Sequence, residues 1–179
     1  VQRKHTEVAP QLREMARSAD GELARLHALW TLEGLGELTP ETVLDALSDE
    51  SPQLRAAAVR VSEPWLRDGH RELLTTVKNL TTDAAPDVRL QLAATLGEVD
   101  PPNADEALVS LMTDHAAQPY LAEAAISGIG GREVTFMEKL VQSDGWQQQS
   151  EGYSDALQRL ATTVVNSDDP ERIDAMLAL

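Results

Sequence analysis

Apolar residues recur along the chain at the spacing of one helix face. Val8, Leu12 and Met15 lie three to four residues apart, and such spacing predicts an amphipathic helix. The same spacing predicts helices over about 6–18, 40–49, 69–82, 103–115, 132–143 and 150–166. Strand-type alternation is not found in the sequence. The pattern therefore predicts an all-α protein.

Between these helices lies a second, alanine-rich set that repeats along the chain. Each copy begins with a turn aspartate, and the copies are 29, 34 and 31 residues apart. These aspartates are Asp20, Asp49, Asp83 and Asp114. An arginine follows at Arg25, Arg55 and Arg89, whereas the fourth copy has Tyr120 or Leu121. Repeats of this length predict stacked helix pairs, because one pair cannot bury its own apolar stripe.

Local signals predict several helix ends. Thr39 before Pro40 is typical of a capped helix start, and a further helix opens at Asp169–Pro170. Pro64 should end or kink its helix after Ser62 or Glu63. The glycine-rich stretch 128–132 follows a helix, which indicates a helix stop and not a phosphate loop.

The repeated aspartate and arginine are interpreted as structural and not catalytic. Asp49 with Arg55 and Asp83 with Arg89 share a six-residue interval, but neither pair has a third group beside it. We expect the aspartate to cap the following helix, an effect of about 0.5–2 kcal/mol. We expect the arginine to reach the aspartate of its own or a neighbouring repeat, an exposed pair adding about 0–1 kcal/mol.

This pattern resembles the HEAT repeat, whose paired helices carry ladders of turn aspartate and second-helix arginine. The resemblance implies an all-α, right-handed α-α superhelix of the HEAT/ARM-like solenoid type, with about five helix pairs. Residues 1–179 would form a single HEAT-like repeat domain. Because the chain opens with Val1 and stops inside an apparent helix, we expect it to be a fragment of a larger multidomain protein.

A narrower resemblance lies in residues 24–63, in the cluster His27, Trp30, Glu33, Gly34, Leu35 and Gly36. This stretch is similar to the HEAT segment of planctomycete and verrucomicrobial propeller-dehydrogenase and cytochrome c proteins. That resemblance implies a periplasmic or cell-surface location and a role as a rigid linker in a membrane-bound or periplasmic dehydrogenase. Any haem would belong to another domain, because the chain has no cysteine.

Composition and charge restrict the remaining functions. Aromatic residues make up only 3% of the chain, so the core must consist of Leu, Ala and Val. The net charge of −15 repels phosphate, which disfavours nucleic-acid binding. The acidic excess lies mainly after residue 90, where the chain has 4 basic and 15 acidic residues. This excess either keeps the surface soluble or binds a basic partner. No apolar run is long enough to span a bilayer, and we predict no membrane contact by this segment.

Candidate contact residues are few, and no catalytic or metal-binding residue is predicted. The four histidines are not at metal-ligand spacing with one another, so we expect no cofactor. His27, Trp30 and Glu33 fall near one helix face and form a possible contact patch. Trp146 and Tyr153 lie in the least regular stretch, as a binding loop or as a connection with one aromatic tucked under it.

The first functional hypothesis is a non-enzymatic scaffold that binds proteins or neighbouring domains of the same chain. The rigid linker in a dehydrogenase is the alternative. A small-molecule enzyme with a site between repeats is the third hypothesis.

Overall fold

The computed structural model describes residues 6–99, 104–143 and 151–179. These residues form helices and turns, with no strand among them, which confirms the predicted all-α fold class. The chain divides into two compact units, Val1–Leu92 and Ala93–Leu179. The expectation of a single domain over residues 1–179 stays a prediction.

The first unit is built from pairs of helices that are stacked in chain order. Its α-helices are α1 (Ala9–Ser18), α2 (Glu22–Leu35), α3 (Pro40–Leu47), α4 (Pro52–Val61), α5 (Glu63–Arg67) and α6 (Arg71–Asn79), with 3-10 turns at Thr6–Val8 and Leu80–Thr82. Helix α7 (Pro86–Gly97) crosses the boundary between the units. The helices α1, α3 and α6 contact one another in sequence, and α2 contacts α4. First helices thus form one row and second helices another, the arrangement of an α-α solenoid.

The second unit repeats this arrangement. Its helices are α8 (Asp105–Asp114), α9 (Leu121–Gly128), α10 (Glu133–Gln142), α11 (Glu151–Val165) and α12 (Pro170–Leu177). The first-row helices α8, α10 and α12 contact one another in order, and α9 contacts α11.

Most of the predicted helix ends are confirmed. Helix α3 begins at Pro40, and the Thr39 side chain accepts a hydrogen bond from the Thr42 N–H. Asp169 caps α12 in the same way. Helix α4 ends at Val61 and α5 begins at Glu63, which places the predicted interruption just before Pro64. Helix α9 ends at Gly128, so the glycine-rich stretch is a helix stop.

The cores are made mainly of aliphatic side chains, as the composition requires. The single phenylalanine, Phe136, is fully buried. The other largest fully buried side chains are Leu29, Leu32, Leu47, Leu54, Leu73, Leu92, Leu96, Leu108, Leu111, Leu121 and Ile129. Close approach of backbones compensates for the lack of large rings. One such contact is between Gly97 of α7 and Gly128 of α9, where an added Cβ on Gly128 would lie 2.6 Å from the Gly97 carbonyl carbon.

Candidate functional site

The repeated arginine and aspartate form ion pairs between consecutive repeats of the first unit. The Arg25 Nε lies 2.9 Å from Asp49 Oδ2, and its Nη2 donates to Oδ1 at 3.0 Å. Arg55 donates from Nε and Nη2 to the two oxygens of Asp83 at 2.7 and 2.9 Å. Of the two alternatives, the arginine therefore reaches the neighbouring repeat. The two hydrogen bonds from Arg55 fix both the distance and the orientation of its pair with Asp83.

Each of these arginines also binds the backbone of its own turn. Arg25 donates to the Ala19 carbonyl oxygen and Arg55 to that of Asp49, both at 2.8 Å. Arg89 donates to the Asp83 carbonyl oxygen in the same manner. The first repeat therefore has Ala19, and not Asp20, at the position of the other turn aspartates. This explains why the interval in that copy is one residue short.

The prediction that the turn aspartate caps the following helix is wrong. Asp49 Oδ1 accepts a hydrogen bond from the Ser51 N–H at 2.8 Å, just before helix α4. The cap of α4 is Ser51, whose Oγ accepts from the Leu54 N–H at 3.2 Å. The aspartate instead shapes the turn, because a carboxylate bonded two residues on closes an Asx-turn.

The Arg55–Asp83 pair is not exposed, so the value of about 0–1 kcal/mol for an exposed pair does not apply to it. The Asp83 side chain is only 6% exposed. The hydrogen bond from Arg55 lowers the pKa of Asp83, against the opposing effect of burial. A pair enclosed in this way is screened less than a surface pair, so we expect its loss to cost more than the cap was expected to contribute.

The second unit has a different set of ion pairs, at the starts of its first-row helices. Asp105 of α8 is buried and receives Arg132 Nη1 and Lys139 Nζ, each at 2.6 Å. Arg132 also donates to the Gly97 carbonyl oxygen at 2.7 Å. Glu133 of α10 is buried and pairs with Arg172 of α12. Sequence reasoning missed these pairs, because the partners are far apart in sequence and share no repeated interval.

The fourth aspartate, Asp114, does not continue the first unit's pattern. It is the last residue of α8 and accepts a hydrogen bond from the Ser110 hydroxyl at 3.1 Å. Tyr120 stands six residues later, where the other copies have arginine. It is exposed, with a left-handed backbone (φ 65°).

The charged groups described above contact one another as ion pairs. Over residues 6–99, 104–143 and 151–179, no three His, Asp or Glu side chains are grouped so that they could hold a metal ion. In the same residues, no helix is both long and apolar enough to cross a bilayer. His70 caps α6 through Nδ1, which accepts from the Leu73 N–H at 3.4 Å, while His5 lies outside the described residues.

Tyr153 is not available as a contact residue. It is only 5% exposed, and it lines a small, partly open pocket with Met112, Leu121 and Leu140. Burial raises the pKa of Tyr153, while a hydrogen bond with Thr113 acts in the opposite direction. Of the two alternatives for this stretch, the burial of Tyr153 therefore favours an aromatic tucked inward over a binding loop. Trp146 lies outside the described residues.

His27, Trp30 and Glu33 lie together on the exposed side of helix α2. The His27 and Trp30 rings meet edge to face, with centroids 6.0 Å apart at an angle of 79°. Trp30 is 44% exposed. Glu33 accepts a long hydrogen bond of 3.5 Å from Arg60 of α4. The three side chains thus form one surface, here called the α2 patch.

Two further residues extend the α2 patch and were missed by sequence reasoning. Leu23 is 65% exposed and lies two helical turns before Trp30, on the same side of α2. Arg60 follows Arg55 by the interval at which Trp30 follows Arg25, so the two occupy equivalent positions in neighbouring repeats. Both could have been found by aligning the copies on their arginines and marking the positions left outside the apolar stripe.

Comparisons with known proteins agree with the helix-pair arrangement. The family model described as HEAT repeats matches residues 40–130, about half of the chain. No curated protein and no solved structure matches the sequence.

Proposed function

Since the chain belongs to the HEAT-repeat family, we propose that it is a non-enzymatic scaffold that binds protein segments through the α2 patch. HEAT repeats commonly act as protein–protein scaffolds and are generally not catalytic. Stacked helix pairs suit this role, because their second helices line up into an extended contact surface.

The observation that carries the proposal is the exposure of Trp30 and Leu23 on one side of α2. Burying a large exposed apolar side chain against a partner contributes favourably to the free energy of binding. Tryptophan is enriched among the residues that dominate the binding energy of protein interfaces. Trp30 is flanked by Glu33 and Arg60, which are both partly exposed. An apolar centre with a charged edge is the usual composition of a protein interface.

The proposal is tested by capture of proteins from the source organism, with the chain as bait. The Trp30→Ala variant should lose at least one reproducibly captured protein about tenfold, as expected of a residue that dominates an interface. Leu177→Ala is the matched control, because Leu177 is also exposed but lies in the second unit. If Trp30→Ala retains every protein that the unchanged chain captures, the α2 patch is not the binding site.

The rigid-linker alternative concerns the parent protein. The family match does not favour it, and the narrower resemblance in residues 24–63 has no support from the comparisons. Sequencing the complete gene tests this alternative, because the gene would have to encode a propeller and a cytochrome c domain beside this segment.

A further inference from the structure

Helix α12 presents apolar side chains that the described residues leave uncovered. No residue of α12 is buried, and Leu177 is 75% exposed. Ile173 and Met176 are partly exposed, and they lie on the same side as Leu177, because residues three and four apart are neighbours on a helix surface. A group of large apolar side chains at the surface marks a place where another element docks.

Helix α3 has the same residue pattern as α12. Both helices have eight residues, begin with Pro-Glu and follow a residue whose side chain caps the helix. When they are aligned on their first prolines, Val43 corresponds to Ile173 and Leu47 corresponds to Leu177. The two helices can therefore be compared position by position.

The apolar positions that are exposed in α12 are covered in α3. Val43 and Leu47 are fully buried, and α3 packs against α4, the second-row helix that follows it. The first-row helices α1, α8 and α10 likewise contact α2, α9 and α11, which follow them. The element that covers this face elsewhere in the array is thus the next second-row helix.

The two helices also end in the same type of turn. Ser48 follows α3 with φ −104° and ψ 7°, and Ala178 follows α12 with φ −87° and ψ −8°. In both turns the N–H group donates to the carbonyl oxygen three residues back, which belongs to Asp45 in one and to Ala175 in the other. The backbone therefore leaves α12 as it leaves α3 on its way to α4.

Charge favours a helix like α4 over a second copy of α12. The acidic residues Glu171 and Asp174 of α12 are exposed, and its one cation, Arg172, is paired with Glu133. Two copies that met through α12 would bring these carboxylates together, which costs free energy. Helix α4 contains two arginines and no acidic residue, so a helix of its composition is complementary in charge to α12.

We propose that Ile173, Met176 and Leu177 dock a second-row helix of the α4 type, alanine-rich and amphipathic, that belongs to the same polypeptide. The covering helix comes next in the chain after α1, α3, α8 and α10, and the same connection is expected after α12. The docked helix completes a further helix pair and removes the apolar side chains of α12 from water. The exposure of α12 and its likeness to α3 carry this inference, whatever the position of the last residue.

The test supplies such a helix and measures whether α12 binds it. In an extended chain, Ala178 and Leu179 are replaced by a second copy of residues 48–62, which contain α4 and the turn before it. This segment carries its own turn contacts, because Ser51 caps α4 and Arg55 donates to carbonyl oxygens of the same turn. Hydrogen exchange of the α12 amides is followed by mass spectrometry. It should slow at least about tenfold, because burial of the apolar face opposes opening of the helix.

Two controls separate docking from the addition of residues. Leu54→Gln with Val61→Gln, made only in the added copy, should return the exchange of α12 to the rate of the unextended chain. Leu177→Ala should remove most of the slowing in the extended chain. In the unextended chain it should change the exchange of α12 less than about twofold, because Leu177 is exposed there and alanine favours a helix.

Four results would overturn the inference. Unchanged exchange of α12 in the extended chain would show that the face does not bind a helix of this type. Slowing that persists in the glutamine control would show that any added residues protect α12. A dimer of the unextended chain that Leu177→Ala dissociates in sedimentation would identify a second copy as the occupant. Capture of another protein that depends on Leu177 would identify a separate partner.

Discussion

At the scale of single residues, the repeated arginine is the most informative feature of the chain. Arg55 binds the carbonyl oxygen of its own turn and the carboxylate of Asp83 in the next repeat. The sequence shows the interval between aspartate and arginine, from which we interpreted the two residues as structural because neither pair has a third group beside it. It could not show which repeat the guanidinium reaches, because this depends on how neighbouring helices pack. The burial of the pair could not be predicted for the same reason.

We expect Asp83→Ala to lower the free energy of unfolding by about 3 kcal/mol, because it leaves Arg55 without its enclosed partner. Urea unfolding followed by circular dichroism measures the effect. Asp87→Ala is the control, since Asp87 is exposed in the first turn of α7 and contributes less than about 1 kcal/mol through the helix dipole. If the two variants lose equal free energy of unfolding, the Arg55–Asp83 pair contributes no more to stability than an exposed carboxylate does.

The same pair should make stability depend on pH. Because Arg55 lowers the pKa of Asp83 in the folded chain, the carboxylate favours folding when it is charged. Its contribution is complete above the ordinary aspartate pKa of about 3.9, and it is lost as pH falls through the lower folded value. We expect the difference in urea midpoint between the unchanged chain and Asp83→Asn to shrink between about pH 5 and about pH 2.5. A constant difference over this range would contradict the assignment.

At the scale of the helices, local signals were predictable and contacts between helices were not. The starts of α3 and α12 follow from Thr39–Pro40 and Asp169–Pro170, because a cap acts within its own turn. The role of Arg132 was not foreseen, although the helix stop before it was. Its partners, Asp105 and the Gly97 carbonyl oxygen, come from other segments that the fold brings together.

The glycine contact between α7 and α9 gives a prediction at this scale. Gly128→Ala should destabilise the chain by about 1–3 kcal/mol, because its Cβ would overlap the Gly97 backbone and force the two helices apart. Gly34→Ala is the matched change in α2, where a Cβ meets open space. It should stabilise by about 0.5–1 kcal/mol through helix propensity. Thermal unfolding of both variants distinguishes the two effects, and a stabilised Gly128→Ala would refute the close contact.

At the scale of the whole molecule, charge is distributed unevenly. All four basic residues of Ala93–Leu179 are held in ion pairs. They are Arg132, Lys139, Arg159 and Arg172. Two of their acidic partners, Asp105 and Glu133, are buried. The described acidic residues without such a pair therefore set the electrostatic character of this unit's surface. The count of charges was visible in the sequence, but this allocation of the cations was not.

We expect salt to stabilise the chain. Raising NaCl from about 0.02 M to about 0.2 M shortens the screening length and weakens repulsion among the exposed acids, whereas the enclosed ion pairs are screened less. The thermal midpoint should therefore rise over this range. A fall would mean that the ion pairs outweigh the surface repulsion. Sucrose in place of NaCl separates ionic screening from general solvent effects.

Arg25 and Arg55 each pair with an aspartate of the following repeat. The segment from such an arginine to its aspartate, here called an electrostatic module, therefore begins and ends at different residues from a helix pair. One such module runs from Arg55 in the middle of α4 to Asp83 before α7, while the helix pair begins at α3. Exchanging or deleting repeats at helix-pair junctions would part each guanidinium from its carboxylate. Engineered grafts should instead be joined between Asp49 and Arg55, where both partners of each module stay on the same side of the junction.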